Sequence, residues 1–343
     1  MSKPSPARRS NRASGADIVR MEDVARAAGV SPITVSRALN TPEKLSTETL
    51  RAVRAAVQKL SYVPNLNAGS LASNRSRTIA IIVPTVSHSI FSDTVDGLAR
   101  ALAPQHYQLL LGQTHYRAEE EAALVKAFLG RRVEGMVLTG VNHARGVRSG
   151  LLRAGIPVVE TWDLSERPIH MMAGFSNHAA GQEAARYLAG RGYTSLAFIG
   201  GYDDRSSARL GGFREVARAS GLGEVAVALV PPPSAPAEAG AALADLLSRG
   251  KPRALFCSND MLAAGAIFEC ARRGIAVPGQ LAVMGFADLP IAVSIEPSLT
   301  TVQVRSTVMG HCAGEMLLRH LRTGNVSKRI EDLGFSVVQR ASA

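Results

Sequence analysis

The chain is most constrained at Ala28-Gly29-Val30-Ser31-Pro32, where one short helix has to stop and another has to start within a few residues. Val24, Ala25 and Ala28 recur at helical spacing, and Gly29 supplies the left-handed residue that ends a helix. Ser31 fits an N-cap and Pro32 the first helical position, so a second helix begins almost at once. Val35 and Leu39 are expected to face inward, leaving Pro32, Ile33, Ser36 and Arg37 on the outer face. Two short helices joined by a tight Gly-bearing turn can present the second to the major groove of double-stranded DNA. Most helical hairpins have no such role, so the distribution of charge decides between the readings.

Charge favours nucleic acid. The formal net charge is +11, yet residues 1–77 alone hold 13 Lys and Arg against 5 Asp and Glu, a net of +8. The positive excess therefore sits with the paired helices, as neutralisation of phosphates requires. A membrane-surface anchor would need a sustained amphipathic face, and residues 1–20 show none. The chain opens without an apolar signal-peptide core, and no apolar run approaches about 18 residues. Cys257, Cys270 and Cys312 are far apart and lack metal-ligand spacing, which fits buried thiols in a reducing compartment. The expectation is a cytoplasmic protein without contact with a membrane.

Residues 1–17, rich in Ser, Pro, Arg and Gly, are expected to be a disordered basic terminus. A helix-turn-helix domain follows over 18–61. Its third helix runs from about Ser46 to Leu60, with Leu50, Val53, Val57 and Leu60 as the inner stripe. Residues 62–77 are polar and too short for a core, and read as a hinge. One or two turns over Asn65–Ala72 are weakened by Gly69 and Ser70, so they would form only when a partner adds contacts.

From Thr78 to the end at 343 the pattern changes. Apolar runs at 78–83, 107–111, 135–139 and 156–160 alternate with amphipathic stretches, and the plan restarts at 196–200, 254–258 and 281–286. This order predicts parallel sheets with helices on both faces, arranged as two similar lobes with a cleft between them. Ligands of such sheets sit beyond the carboxyl ends of the strands. Those ends carry Thr85, Thr139, Glu160 to Asp163, Tyr202 to Asp204, Asn259, Asp260 and Asp288.

The succession of these parts resembles the lactose-repressor (LacI) family of bacterial transcription regulators. The residues carrying the resemblance are Asp23-Val-Ala-x-x-Ala-Gly-Val-Ser31, Thr34-Val-Ser-Arg37, Asn40, Tyr62-x-Pro-Asn65 and Leu71, with Ser258-Asn-Asp260 and Pro297-x-Leu-Thr-Thr301 in the core. It extends from about residue 20 to the end. Within the family, Gly155-Ile-Pro-Val-Val-Glu160, Gly174-Phe175, Phe268-Glu-Cys270 and Asp332-Leu-Gly-Phe335 are most similar to gluconate-operon repressors. The resemblance implies an all-α helix-turn-helix domain plus an α/β two-lobed core like that of periplasmic binding proteins. It implies a repressor without a cofactor that binds a palindromic operator as a homodimer and answers to a small-molecule effector. No leucine heptad follows Phe335, so a dimer rather than a tetramer is expected.

Residue by residue, the resemblance implies that Pro32, Ile33 and Arg37 face base edges, with Ser36 on the same face. Ser31, Thr34 and Asn40 would bind phosphates or hold the motif on the duplex. Arg37 could fork onto guanine, and Pro32 and Ile33 could read only by apolar contact. Leu71 matches a hinge leucine wedged into the minor groove, with Asn65 and Ala68 in the same hinge element. In the core, Arg209 matches an effector-holding arginine, Asn259 and Asp260 an effector-side pair, and Phe91 a wall. Ala287 stands where relatives often carry Asp, so the acid is delayed to Asp288, and Trp162 replaces another Asp. Losing two carboxylates suits a negatively charged effector such as gluconate or its phosphate, with Arg305 as a further cation. Thr139 and Glu160 complete the expected ligand set. A neutral sugar or a purine remains the alternative effector. An enzyme or an exported sugar-binding protein would leave residues 1–77 unexplained, and no phosphate loop, nucleophile elbow or paired-histidine motif appears.

Overall fold

The computed structural model describes residues 19–63, 76–86, 89–232, 235–325 and 327–343. The expected disorder over 1–17 and the hinge positions Asn65, Ala68 and Leu71 lie outside the described residues. The chain divides into two compact units, Met1–Arg75 and Ser76–Ala343.

In the first unit, α1 (Met21–Ala28) ends where Gly29 takes φ 66°. The Ser31 hydroxyl accepts the Thr34 N–H at 3.2 Å and opens α2 (Pro32–Asn40), with Pro32 at its first position. Ser46 does the same for α3 (Thr47–Lys59) through the Thr49 N–H at 3.2 Å. A cap of this kind contributes about 1 kcal/mol, a large share of what so short a helix needs. Val24, Ala25, Val35, Ala38, Val53, Ala56 and Tyr62 form the buried centre. One inward position is corrected. Leu39 is 36 % exposed and Ala38 is buried in its stead. Residues three apart on α2, Val35 and Ala38, meet the other helices, rather than residues four apart.

The second unit has two sheets. The first holds β1 (Thr78–Val83), β2 (Gln108–Gln113), β3 (Gly135–Thr139), β4 (Val158–Thr161) and β5 (Met171–Gly174). Around it lie α4 (Ser92–Leu102), α5 (Ala118–Gly130) and α6 (Val147–Ala154). The chain then crosses to a second lobe of β6 (Leu196–Gly201), β7 (Ala226–Val230), β8 (Ala254–Cys257), β9 (Ala282–Ala287) and β10 (Thr300–Val304). Its helices are α7 (Asn177–Gly190), α8 (Asp204–Ala219), α9 (Pro236–Arg249), α10 (Asp260–Arg272) and α11 (Ile291–Ser294). Helix α12 (Ser306–Thr323) returns to pack on α4, β4 and β5. Strand β11 (Ile330–Asp332) then joins the first sheet and β12 (Phe335–Val338) the second.

The strand orders are β11-β5-β4-β3-β1-β2 and β12-β10-β9-β8-β6-β7. The pairings are parallel except β10 with β12. Central strands such as β1, β4 and β8 are buried along nearly their whole length, which is why they read as continuous apolar runs. Among the described residues no helix is long and apolar enough to cross a membrane.

Glycines set how closely the helices approach. A Cβ at Gly97 would overlap the Thr307 carbonyl, and one at Gly310 the Thr94 carbonyl, so α4 and α12 touch backbone to backbone. In the second lobe, Gly181 faces the Arg209 backbone and Gly212 that of His178, bringing α7 and α8 equally close. Both contacts hold side chains that reach the cleft.

Candidate functional site

On the first unit, the outer face of α2 carries Ile33, 65 % exposed, with Arg37 exposed one turn on. Positions four apart share a helix face, so an apolar and a cationic side chain stand together there. Pro32 is exposed beside them. The remaining polar residues stiffen the helix. Asn40 donates to the Ser36 carbonyl at 2.9 Å and lies 3.4 Å from the Ser36 hydroxyl, while the Ser31 and Thr34 hydroxyls are 3.0 Å apart.

In the second unit a cavity lies between the lobes at the carboxyl ends of the strands. Its first-lobe wall is aromatic. Phe91 meets Trp162 edge to face with centroids 5.1 Å apart, and Trp162 meets Phe175 at 6.0 Å. Trp162 holds φ 67°, a left-handed conformation rare for so bulky a residue, and its surroundings fix it there. Its indole N–H donates to the Thr94 hydroxyl at 3.0 Å, and its carbonyl accepts from Asn177 at 2.8 Å. Tyr116 adds a phenol whose pKa burial pushes up to about 12.

Arg209 forms the opposite wall. It is 5 % exposed, donates to Asn177 Oδ1 and stacks 4.2 Å over the Phe286 ring. Its Nε is buried without a hydrogen-bond partner among the described residues. Burial pushes its pKa down to about 10; Asp203 opposes the fall and Arg205 adds to it. A guanidinium so placed is desolvated more than Asp203 and Asp163 compensate, and its Nε lacks an acceptor among the described residues. Asn259 caps α10, with Oδ1 accepting the Leu262 N–H at 2.9 Å, so it offers the cavity its amide N–H donors.

Phe91, Trp162, Arg209 and Asn259 are thus brought together, and Thr139 lies on an outer extension of the cleft with its hydroxyl donated to the Ile82 carbonyl at 3.0 Å. Four expected residues are not on the wall. Asp260 is fully buried and faces its own lobe, accepting from Thr301 Oγ1 and the Leu289 N–H, both at 2.6 Å. Burial holds its pKa up at about 6. Asp288 is occupied by Gln303 and Arg340, each at 2.7 Å. Arg305 is exposed at the start of α12, outside the cavity. Glu160 accepts from the Ile169 N–H and from His143 Nε2 at 3.1 Å. In each carboxylate the partners come from distant segments, and they turn it inward.

His143 in turn bonds Glu121 through Nδ1 at 2.7 Å. Burial alone would lower its pKa, but the hydrogen bonds and charges of Glu121 and Glu160 outweigh burial and push it up to about 9. A histidine whose pKa rises on folding stabilises the fold fully below its unfolded value of 6.5, and the contribution disappears as pH rises through about 9. Thermal melts across that window are expected to show wild type declining with rising pH, and His143→Gln without that decline. Parallel curves would contradict the assignment.

Three cleft residues went unread in the sequence. Tyr116 and Asn177 gave no signal, because contacts from far along the chain bring them in. Arg205 did give one, since it precedes Arg209 by four residues and therefore shares its helix face.

Comparison with known proteins accounts for both units. Residues 20–65 match the model of bacterial regulatory proteins of the lacI family, and residues 185–343 that of the periplasmic binding protein-like domain. The HTH-type transcriptional regulator GntR of Pseudomonas aeruginosa is 36 % identical over 94 % of this chain and 95 % of its own length. GntR of Escherichia coli K12 is 31 % identical over 92 % of this chain and 96 % of its own. The crystal structure of a LacI-family transcriptional regulator from Silicibacter pomeroyi superposes with a TM-score of 0.89 at 31 % identity, over 94 % of this chain and 99 % of that one. These relatives are regulators rather than enzymes, and in the family a DNA-reading domain is joined to a core that takes small-molecule effectors without a cofactor. The chain belongs to the lacI family of bacterial regulatory proteins and is a transcriptional regulator.

Proposed function

We propose that this regulator binds an inverted-repeat operator as a homodimer in the cytoplasm and releases it when a sugar acid, gluconate or its phosphate, enters the cleft. It would thereby control genes for sugar-acid use. The observation that carries the effector is Arg209, a buried guanidinium whose Nε has no partner among the described residues, at the wall of an aromatic-lined cavity. A carboxylate or phosphate there supplies the missing acceptor together with further negative charge against the desolvated cation. Phe91 and Trp162 would pack against the carbon chain and Asn259 would donate to a hydroxyl. The relatives named GntR and the sequence resemblance to gluconate-operon repressors support the same choice. Calorimetry with gluconate, 6-phosphogluconate, glucose and hypoxanthine tests it. A sugar acid is expected to bind tightest, and a neutral hexose or a purine binding tighter would contradict it.

For DNA, the proposal gives Arg37 to a guanine, Pro32 and Ile33 to thymine methyl groups, and Ser31, Thr34 and Asn40 to phosphates, with Ser36 beside them. Leu71 would wedge the minor groove with Asn65 and Ala68 in the same hinge. The working division is residues 18–61 for reading, 62–77 for the hinge and 78–343 for sensing and dimerisation. Effector binding would draw the lobes together and disfavour the hinge conformation needed on DNA, so that ligand and operator oppose each other reciprocally. Arg37→Ala is expected to cost about 1–3 kcal/mol on the operator and to relax preference at one base position. Equal losses on operator and random DNA would overturn that role.

A further inference from the structure

We propose that Arg205 is a second anion-recognising residue of the cleft, and that it ties recognition of the effector's charge to closure of the two lobes. The inference rests on the reading of the effector as a sugar acid. Arg205 stands on the first turn of α8 in the second lobe, but its guanidinium lies 5.5 Å over the ring of Phe91 in the first. Gly140, beyond the end of β3, makes room for it. A Cβ there would come within 3.1 Å of Arg205 Nη1, and the residue holds φ 92°. The neighbouring residue also crosses the cleft: Asn142 donates to Asp204 Oδ2 at 3.1 Å. Two consecutive residues at the start of α8 therefore join the lobes beside the cavity.

The charge of Arg205 is poorly matched where it lies. Its side chain is only 12 % exposed, its nearest ion pair among the described residues is with Asp203 at 4.0 Å, and the half-buried Asp163 acts on it only from further away. The second guanidinium of the wall, Arg209, feels the charge of Arg205, which adds to the fall of its pKa. An anion between them relieves both at once, and because Arg205 also rests on Phe91, that anion would be held by both lobes. A neutral aldose of the same size has the hydroxyls but lacks the charge. Arg205 is then the residue that separates acid from aldose, whereas the sequence resemblance names Arg305 as the further cation.

The test is calorimetry on the full chain with gluconate and, up to saturating concentration, glucose, for wild type, Arg205→Gln, Arg205→Lys and Arg209→Gln. Arg205→Gln is expected to lose about tenfold or more in gluconate affinity and most of the preference for acid over aldose. Arg205→Lys, which keeps the charge without the fork, recovers part of it. If Arg205→Gln binds gluconate as wild type does while Arg209→Gln loses it, the role of Arg205 falls and the sugar-acid reading stands. If Arg205→Gln weakens gluconate and glucose equally, Arg205 is a lobe contact without anion recognition and the proposal is overturned. If wild type binds neither gluconate nor 6-phosphogluconate, the sugar-acid reading fails and this inference with it.

Discussion

Replacing Arg209 by methionine is expected to weaken sugar-acid binding roughly 10- to 150-fold, the equivalent of about 1.5–3 kcal/mol for a hydrogen bond to a charged group. The ligand-free protein is expected to keep its melting temperature or gain a little. The two effects separate because Arg209 is held against its own interest. Burial pushes its pKa down to about 10, and its Nε has no partner among the described residues. Methionine fills similar volume against Phe286 and removes the desolvated charge; among the described residues Asn177 Oδ1 loses its donor, and Asp203 and Asp163 lose one of their two cationic neighbours but keep Arg205. Calorimetry and thermal melts read the two halves independently. Unchanged affinity together with a large drop in melting temperature would make Arg209 a structural cation instead.

The second large effect is remote from the ligand. Gly310→Ala is expected to cost about 1–3 kcal/mol or more, because the new methyl group would occupy the position of the Thr94 carbonyl on α4. For a unit of this size that lowers the melting temperature by about 2–4 °C per kcal/mol. Helix α4 can yield only by moving, and Thr94 moves with it. Its hydroxyl holds the Trp162 indole, which packs on Phe91, so effector affinity is expected to fall as well. The same substitution at Gly150 on α6, where nothing lies within 4 Å, is expected to be neutral or stabilising. Equal melting temperatures for the two variants would refute the backbone contact.

What could be read from the chain and what could not divide along the range of the interactions. The stop at Gly29 and the restart at Ser31-Pro32 are local chemistry, so both helix ends are legible before any fold is known. Strands β1, β3 and β8 are legible because burial on both faces leaves unbroken apolar runs. Strand β5, Met-Met-Ala-Gly, has no β-branched residue, and β11 and β12 exist only because distant partners pair with them. The cleft follows the same rule. Trp162 stands at a strand end, and Arg209 is pointed to by the family resemblance. Whether a carboxylate at a strand end faces a ligand or its own lobe is settled by residues such as Thr301 or His143, far away in sequence. Asp260 and Glu160 turn to partners in their own lobes for that reason. Arg205 is the instructive case, since helical spacing alone puts it beside Arg209.

The central claim is tested most directly by titrating gluconate or 6-phosphogluconate into the complex of the full chain with a palindromic operator, following both mass and bound fraction. The account predicts two chains per palindrome, affinity that falls steeply with added salt, and release of the DNA by the sugar acid but not by glucose. A single chain held on one half-site with full affinity, or a complex untouched by sugar acids and governed by a neutral sugar or a purine, would contradict it.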